Sequence, residues 1–183
     1  MHIEIEINTL EIINHKLFKM KKILFVLLFL ISLSISAQAG KHYLANFKDK
    51  KYIFGSDEDA RNAVKLVMAY ADKDVETMSK FMGDTVVYFP PNGGMSMKSA
   101  KSELPNIVEM LHQPYDSIKR TLYSVIPLKP QGADFTRAEV NFKEDRYLKD
   151  GTQQSVMLHD KIFFRNGEIF RIVQLMGERP TPQ

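Results

Sequence analysis

The sequence predicts an α+β domain, in which three helices from the N-terminal half pack over the concave face of a cone-like, strongly curved and mostly antiparallel sheet. Residues 56–113 place apolar side chains at helical spacing, whereas residues 118–176 alternate apolar and polar side chains as strands do. Tight turns between the later strands make them antiparallel neighbours. Strands this long in a small domain must bend, and a bent sheet covered by helices encloses a cavity.

The first 39 residues are expected to be removed from the mature protein rather than to form part of the folded domain. A positive Met20-Lys21-Lys22, an apolar run over residues 23–35 and the small-x-small site Ala37-Gln38-Ala39 are typical of a secretory signal peptide, here residues 20–39. The run is shorter than the ~20 residues that span a bilayer, so no stable membrane anchor is expected after cleavage before Gly40. We therefore expect a secreted or periplasmic protein.

Residues 1–19 precede a better start at Met20 and have no role ahead of a signal peptide, so we interpret them as a misassigned upstream start. The composition of the chain then excludes several classes of chemistry and partner. The chain has no Cys, which excludes disulfides and a thiolate nucleophile, and its formal charge is only +3. It has no Lys/Arg run interleaved with aromatic residues, so nucleic acid is not an expected partner.

The helices follow an arm or linker over residues 40–55. Ser56 can cap the first helix, whose apolar stripe runs from Ala60 to Ala71, and Asp74 can cap a short second helix that Gly83 ends. The third helix is predicted over residues 99–113, with Pro105 in its first turn, where proline is tolerated.

The strands begin with residues 85–89, followed by a weak strand or loop at residues 95–97. Four long strands follow, and their predicted ranges are 118–128, 135–148, 153–164 and 168–176. Residues 178–183 are expected to form a frayed tail.

The last two strands form a hairpin around Asn166-Gly167, the strongest short hairpin signal. Asp160 alternates with Leu158, Ile162 and Phe164, so it faces inward as a carboxylate among apolar side chains. Such a group must be paired, hydrogen-bonded or protonated. His159 and Lys161 then face outward, and His159 cannot share a site with Asp160.

Three segments resemble the nuclear transport factor 2-like superfamily, in its SnoaL-like and ketosteroid-isomerase-like bacterial branch. They are Tyr70–Met78 at a helix break, Phe81–Val87 at the start of a strand, and Asp160–Ile169 at the hairpin. The resemblance implies a SnoaL-like domain over residues 56–177. It does not specify function, because this scaffold hosts isomerases, dehydratases, cyclases and binding modules.

By this resemblance, the catalytic Asp of ketosteroid isomerases corresponds to Phe89 and their oxyanion-hole Tyr to Leu66. Neither side chain can perform those roles, so steroid isomerisation by that machinery is set aside. The resemblance to SnoaL-like cyclases instead implies Asp160 as a general base. The alternative is a buried structural carboxylate.

We predict that the protein binds a small apolar ligand in the cone, with ligand-binding candidates Tyr70, Tyr88, Phe89, His112, Phe142 and Phe164. The alternative is a cofactor-independent isomerase, cyclase or dehydratase that uses Asp160 as general acid and base. No metal is expected, because the histidines lack ligand spacing, and no cofactor is expected. A homodimer through the outer face of the sheet is the expected assembly.

Overall fold

The structure, a computed structural model, describes residues 38–41, 51–91 and 93–178. The predicted upstream segment, nearly all of the signal peptide, the middle of the arm and most of the tail lie outside these residues. No helix of the described part is long and apolar enough to cross a membrane.

Three helices cover the sheet: α1 at Asp57–Ala71, α2 at Val75–Phe81 and α3 at Leu104–His112. The predicted caps are confirmed. The Ser56 hydroxyl accepts hydrogen bonds from the backbone N–H groups of Glu58 (3.1 Å) and Asp59 (3.3 Å). An Asp74 carboxylate oxygen accepts one from the N–H of Thr77 at 2.9 Å. These caps satisfy donors that the first turn of each helix leaves unpaired.

Two predicted helix boundaries are wrong. The third helix begins at Leu104 rather than at residue 99, because residues 97–100 pair with an adjacent strand and residues 101–103 form a 3₁₀ turn. Pro105 does lie in the first turn of α3, as predicted. Gly83 is not a helix cap, since α2 ends at Phe81 and runs directly into a strand. A side chain at Gly83 would meet the Ile169 carbonyl oxygen at 3.3 Å, so glycine allows the two strands to approach.

Within the described residues, eight strands form one open sheet. Their ranges are β1 Gln38–Lys41, β2 Lys51–Phe54, β3 Met82–Phe89, β4 Met97–Ala100, β5 Tyr115–Pro130, β6 Thr136–Leu148, β7 Gln153–Arg165 and β8 Glu168–Glu178. Their order is β1-β2-β5-β6-β7-β8-β3-β4, and every adjacent pair is antiparallel except β3 and β8. The segment predicted as an arm thus contributes β2 and part of β1 to the sheet, because its apolar end pairs with β5.

The β7–β8 hairpin turns as predicted. Asn166 and Gly167 adopt φ of 53° and 81°, the positive values that a type I′ turn needs at both central positions. One irregularity follows the turn: Phe164 lies opposite Ile169, but Phe163 lies opposite Arg171, so Phe170 is an extra residue in β8. Such a bulge bends its strand and shifts the register beyond it by one residue.

The hydrophobic core lies between the helices and the concave face of the sheet. It joins apolar side chains of all three helices with alternate residues of β6 and β7, all nearly or completely buried. The buried residues of β7 are Val156, Leu158, Asp160, Ile162 and Phe164, so the predicted inward face is the observed one. The predicted α+β class, with helices over a curved sheet, is confirmed.

Candidate functional site

A cavity of about 560 Å³ lies between the helices and the concave face. A volume of this size accommodates a small organic molecule. Most of its wall is apolar, and the apolar residues include Leu66, Val67, Met78, Met82, Val86, Leu104, Ile107, Val108, Leu111, Ile172, Met97 and Met176. Exposed residues such as Gly94 and Ala100 also line it, so the cavity opens to solvent at that end.

Asp160 lies in this wall and is only 5% exposed. Cross-strand pairing places Gln174 of β8 directly opposite it, and Gln174 Nε2 donates a hydrogen bond to Asp160 Oδ1 at 2.9 Å. The Tyr88 hydroxyl, on β3, donates in turn to Gln174 Oε1 at 3.0 Å. The three side chains form a hydrogen-bonded row across three strands, which we call the Asp160 row. The Gln174 amide fixes the carboxylate without neutralising its charge.

Burial sets the protonation of this row. It raises the pKa of Asp160 to about 6, and the positive charge of Arg120 and the hydrogen bond from Gln174 only partly oppose that effect. Burial also raises the pKa of Tyr88 above its usual value, and the neighbouring Asp160 charge raises it further. Tyr88 is therefore a neutral donor near neutral pH, whereas Asp160 can release and take up a proton there.

A second polar cluster on the same concave face consists of Arg120, Glu144 and Arg146, all lining the cavity. Both guanidinium groups bond to Glu144, which is 2% exposed. We call these three residues the arginine–glutamate cluster. Its ion pairs compensate the charge of the buried carboxylate.

Three of the predicted site residues lie in the cavity wall: Asp160, Tyr70 and Tyr88. Burial raises the pKa of Tyr70 to about 12, so it too stays neutral. His159 lies on the opposite face of β7, as predicted, with Nε2 3.5 Å from a Glu139 carboxylate oxygen. It is therefore separated from Asp160.

The other four predicted ligand-binding residues do not line the cavity. Phe142 and Phe164 are buried in the core, and Phe89 lies with the Arg171 guanidinium 5.6 Å from its ring centre. His112, at the end of α3, is buried and bonds through Nε2 to the Tyr70 carbonyl oxygen at 2.9 Å. Burial lowers the pKa of His112, so its imidazole is neutral near pH 7.

The sequence analysis did not predict several polar residues of the wall, among them Gln174, Arg120, Glu144 and Arg146. Glu144 and Arg146 continue the inward alternation of Ala138, Val140 and Phe142 along β6, and that spacing was a usable signal. Gln174 gave no such signal, because the extra residue in β8 decides which side chain faces Asp160.

Metal-binding groups are absent from the described residues: no three or more His, Cys, Asp or Glu side chains there are grouped so as to hold an ion.

Sequence comparison finds no relatives, since no family model and no curated protein matches the chain. Solved structures match it in shape. One is a putative ketosteroid isomerase from Kribbella flavida (TM-score 0.51, 13% identity, covering 71% of this chain and 85% of that one). Another is an NTF2-like protein of unknown function from Burkholderia pseudomallei (TM-score 0.54, 10% identity, 67% and 92%).

An LEH-like epoxide hydrolase from M. tuberculosis also matches (TM-score 0.51, 10% identity, covering 66% of this chain and 83% of that one). Likeness at such low identity shows the fold alone. The chain has the fold of the nuclear transport factor 2-like superfamily, the fold that the resemblance in its sequence implied.

Proposed function

We propose that the protein binds a small, largely apolar molecule in the cavity and holds one polar group of that molecule at the Asp160 row. The observation that carries this proposal is a buried carboxylate in the mostly apolar wall of a cavity open to solvent. Ligand sites typically combine apolar walls with a few placed polar groups. A carboxylate needed only for structure would not have to border a cavity.

The test uses N-phenyl-1-naphthylamine, a neutral apolar fluorophore that is small enough for the cavity and carries one N–H donor. We expect saturable binding with one site per chain, seen as a rise and blue shift of emission. The variant Ile172→Trp fills the cavity beside Gln174 and should weaken binding by roughly tenfold or more, because lost apolar contacts convert to that factor.

Leu175→Trp is the matched control. Leu175 lies three residues after Ile172 on β8, and its side chain lies on the opposite, exposed face of the sheet. It should bind the fluorophore as the wild type does. Circular dichroism checks that both variants fold. Unsaturable binding, or equal loss in both variants, would contradict the proposal.

A second candidate is acid–base catalysis by Asp160, and the pKa raised to about 6 favours it. A base with such a pKa is mostly ionised at pH 7, yet lies close enough to that pH for efficient proton transfer. We propose this as the alternative: Asp160 takes a proton from carbon beside a carbonyl group and later returns it, without a cofactor.

Exchange of the α-protons of 2-tetralone in heavy water tests the alternative by proton NMR. The wild type should accelerate exchange, with a rate that rises with pH through about 6, the pKa of Asp160. Asp160→Asn should abolish the acceleration, since an amide cannot act as the base. An unchanged rate in Asp160→Asn would exclude Asp160 as the base, whereas fluorophore binding without exchange would leave only the binding function.

A further inference from the structure

The arginine–glutamate cluster carries more positive than negative charge. Glu144 Oε2 accepts a hydrogen bond from Arg120 Nε at 2.6 Å and forms an ion pair with Arg120 Nη2 at 2.5 Å, while Oε1 accepts a hydrogen bond from Arg146 Nε at 2.6 Å. One carboxylate thus stands between two guanidinium groups, which are always charged. The cluster keeps a net charge of one positive unit in the cavity wall.

The two arginines differ in how many of their guanidinium nitrogens have a partner. Arg120 also donates from Nη1 to the Val67 carbonyl oxygen at 2.7 Å, and its guanidinium lies 4.3 Å from the Tyr70 ring centre. Each of its three nitrogens has a partner. Arg146 bonds to Glu144 only through Nε, and its Nη1 and Nη2 have no hydrogen-bond partner among the described residues. Four N–H donors of Arg146 are therefore available.

The free end of Arg146 belongs to the cavity. Arg146 and Tyr115 both line it, with the guanidinium 5.7 Å from the Tyr115 ring centre and the Arg146 side chain 17% exposed. The electron-rich ring face further stabilises the cation and holds its plane. A planar guanidinium with two free nitrogens matches the two oxygens of a carboxylate.

Asp160 does not neutralise the net positive charge of the arginine–glutamate cluster. It forms no salt bridge with either arginine, and Val156, not Asp160, lies opposite Glu144 on β7. Asp160 lies four positions after Val156 on β7, which corresponds to about 13 Å of backbone at ~3.3 Å per residue. The cavity therefore has an anionic hydrogen-bonding row at one place and a cationic donor at another.

We propose that the ligand is an apolar organic acid, whose carboxylate binds to Nη1 and Nη2 of Arg146 while its apolar body fills the cavity. This inference rests on the proposed binding function and names its ligand class. Glu144 holds Arg146 through Nε, so the two free nitrogens are oriented before the ligand arrives. Such preorganisation lowers the entropic cost of binding.

The experiment compares octanoate with octanol, which share a chain length and differ in the charged group. Each is measured by displacement of N-phenyl-1-naphthylamine at pH 7.5. Wild type should bind octanoate roughly tenfold or more tightly than octanol, the factor expected of charge-assisted hydrogen bonds. Arg146→Gln should lose this preference, because its affinity for octanoate falls toward its affinity for octanol. Arg146→Lys, which keeps the charge but loses the fork, should retain part of the preference.

Arg165→Gln is the control, because Arg165 is an exposed residue paired with Asp134 and does not line the cavity. It should keep the full preference for octanoate. Equal affinities of the wild type for octanoate and octanol, or an undiminished preference in Arg146→Gln, would overturn the inference while leaving fluorophore binding intact. Absence of fluorophore binding to the wild type would instead overturn the proposed function itself.

Discussion

At the scale of single residues, Asp160 is the side chain whose environment conflicts most with its chemistry. It is 5% exposed, it receives one hydrogen bond from Gln174, and it has no ion-pair partner among the described residues. Its inward direction followed from the alternation along β7. The absence of a salt-bridging cation could not be predicted, because Arg120 comes from a distant strand and is already bonded to Glu144.

Because ionisation of the buried Asp160 destabilises the fold, the free energy of unfolding should depend on pH in a defined direction. Because the folded pKa of about 6 lies above the ordinary 3.8, the folded state holds more protons between these values, and stability falls as pH rises through this window. Asp160→Asn keeps an acceptor for Gln174 and removes the charge. We expect it to raise the free energy of unfolding by about 3 kcal/mol at pH 8, with the gain vanishing below pH 4.

Urea unfolding at pH 8, 6 and 4 measures this difference. Asp150→Asn is the control of opposite sign, because hydrogen bonds from Thr152 hold the pKa of the exposed Asp150 below its usual range. It should lower stability at pH 8 rather than raise it. A wild type more stable than Asp160→Asn at pH 8 would show that the carboxylate is compensated in the fold.

At the scale of elements, the β7–β8 hairpin shows where local chemistry determines structure and where it does not. Positive φ at Asn166 and Gly167 followed from the residue types. A regular hairpin around this turn would place Val173 opposite Asp160. The extra residue at Phe170 places Gln174 opposite Asp160 instead, and no local sequence pattern predicts this bulge. The partner of Asp160 therefore depends on packing along the whole sheet.

Gly167→Ala tests the energetic role of this turn. A Cβ at residue 167 would meet nothing within 4 Å, so its cost arises only from the φ of 81°. We expect a loss of about 1 kcal/mol in the free energy of unfolding, measured with urea. Gly177→Ala, on the same strand and also in open space, has no positive φ and should be neutral within about 0.5 kcal/mol. Equal effects of the two substitutions would contradict this account of the turn.

At the scale of the whole molecule, the cavity results from covering a bent sheet with three helices. The sequence predicted that layering from its two periodicities. The polar wall comes from β3, β5, β6, β7 and β8, which are far apart in the chain. Long-range register brings them together, so composition could not reveal that Arg120, Glu144, Arg146 and Asp160 share one cavity.

The outer face of the sheet exposes apolar side chains, including Leu175 at 47% and Ile126 at 42%. Exposed apolar surface on one face is typical of an interaction site, so the homodimer through this face stays a prediction. Export by the signal peptide likewise stays a prediction, since nearly all of that segment lies outside the described residues.

The methionines give the most direct test of ligand binding in the cavity. Of the eight methionines in the described residues, Met78, Met82, Met97 and Met176 line it, whereas Met68, Met95, Met110 and Met157 do not. With carbon-13 in the methionine methyl groups, saturating N-phenyl-1-naphthylamine should shift the resonances of the four lining residues and leave the other four in place. Shifts confined to Met68, Met95, Met110 or Met157, or no shift at saturation, would contradict the central claim that this cavity binds a small apolar ligand.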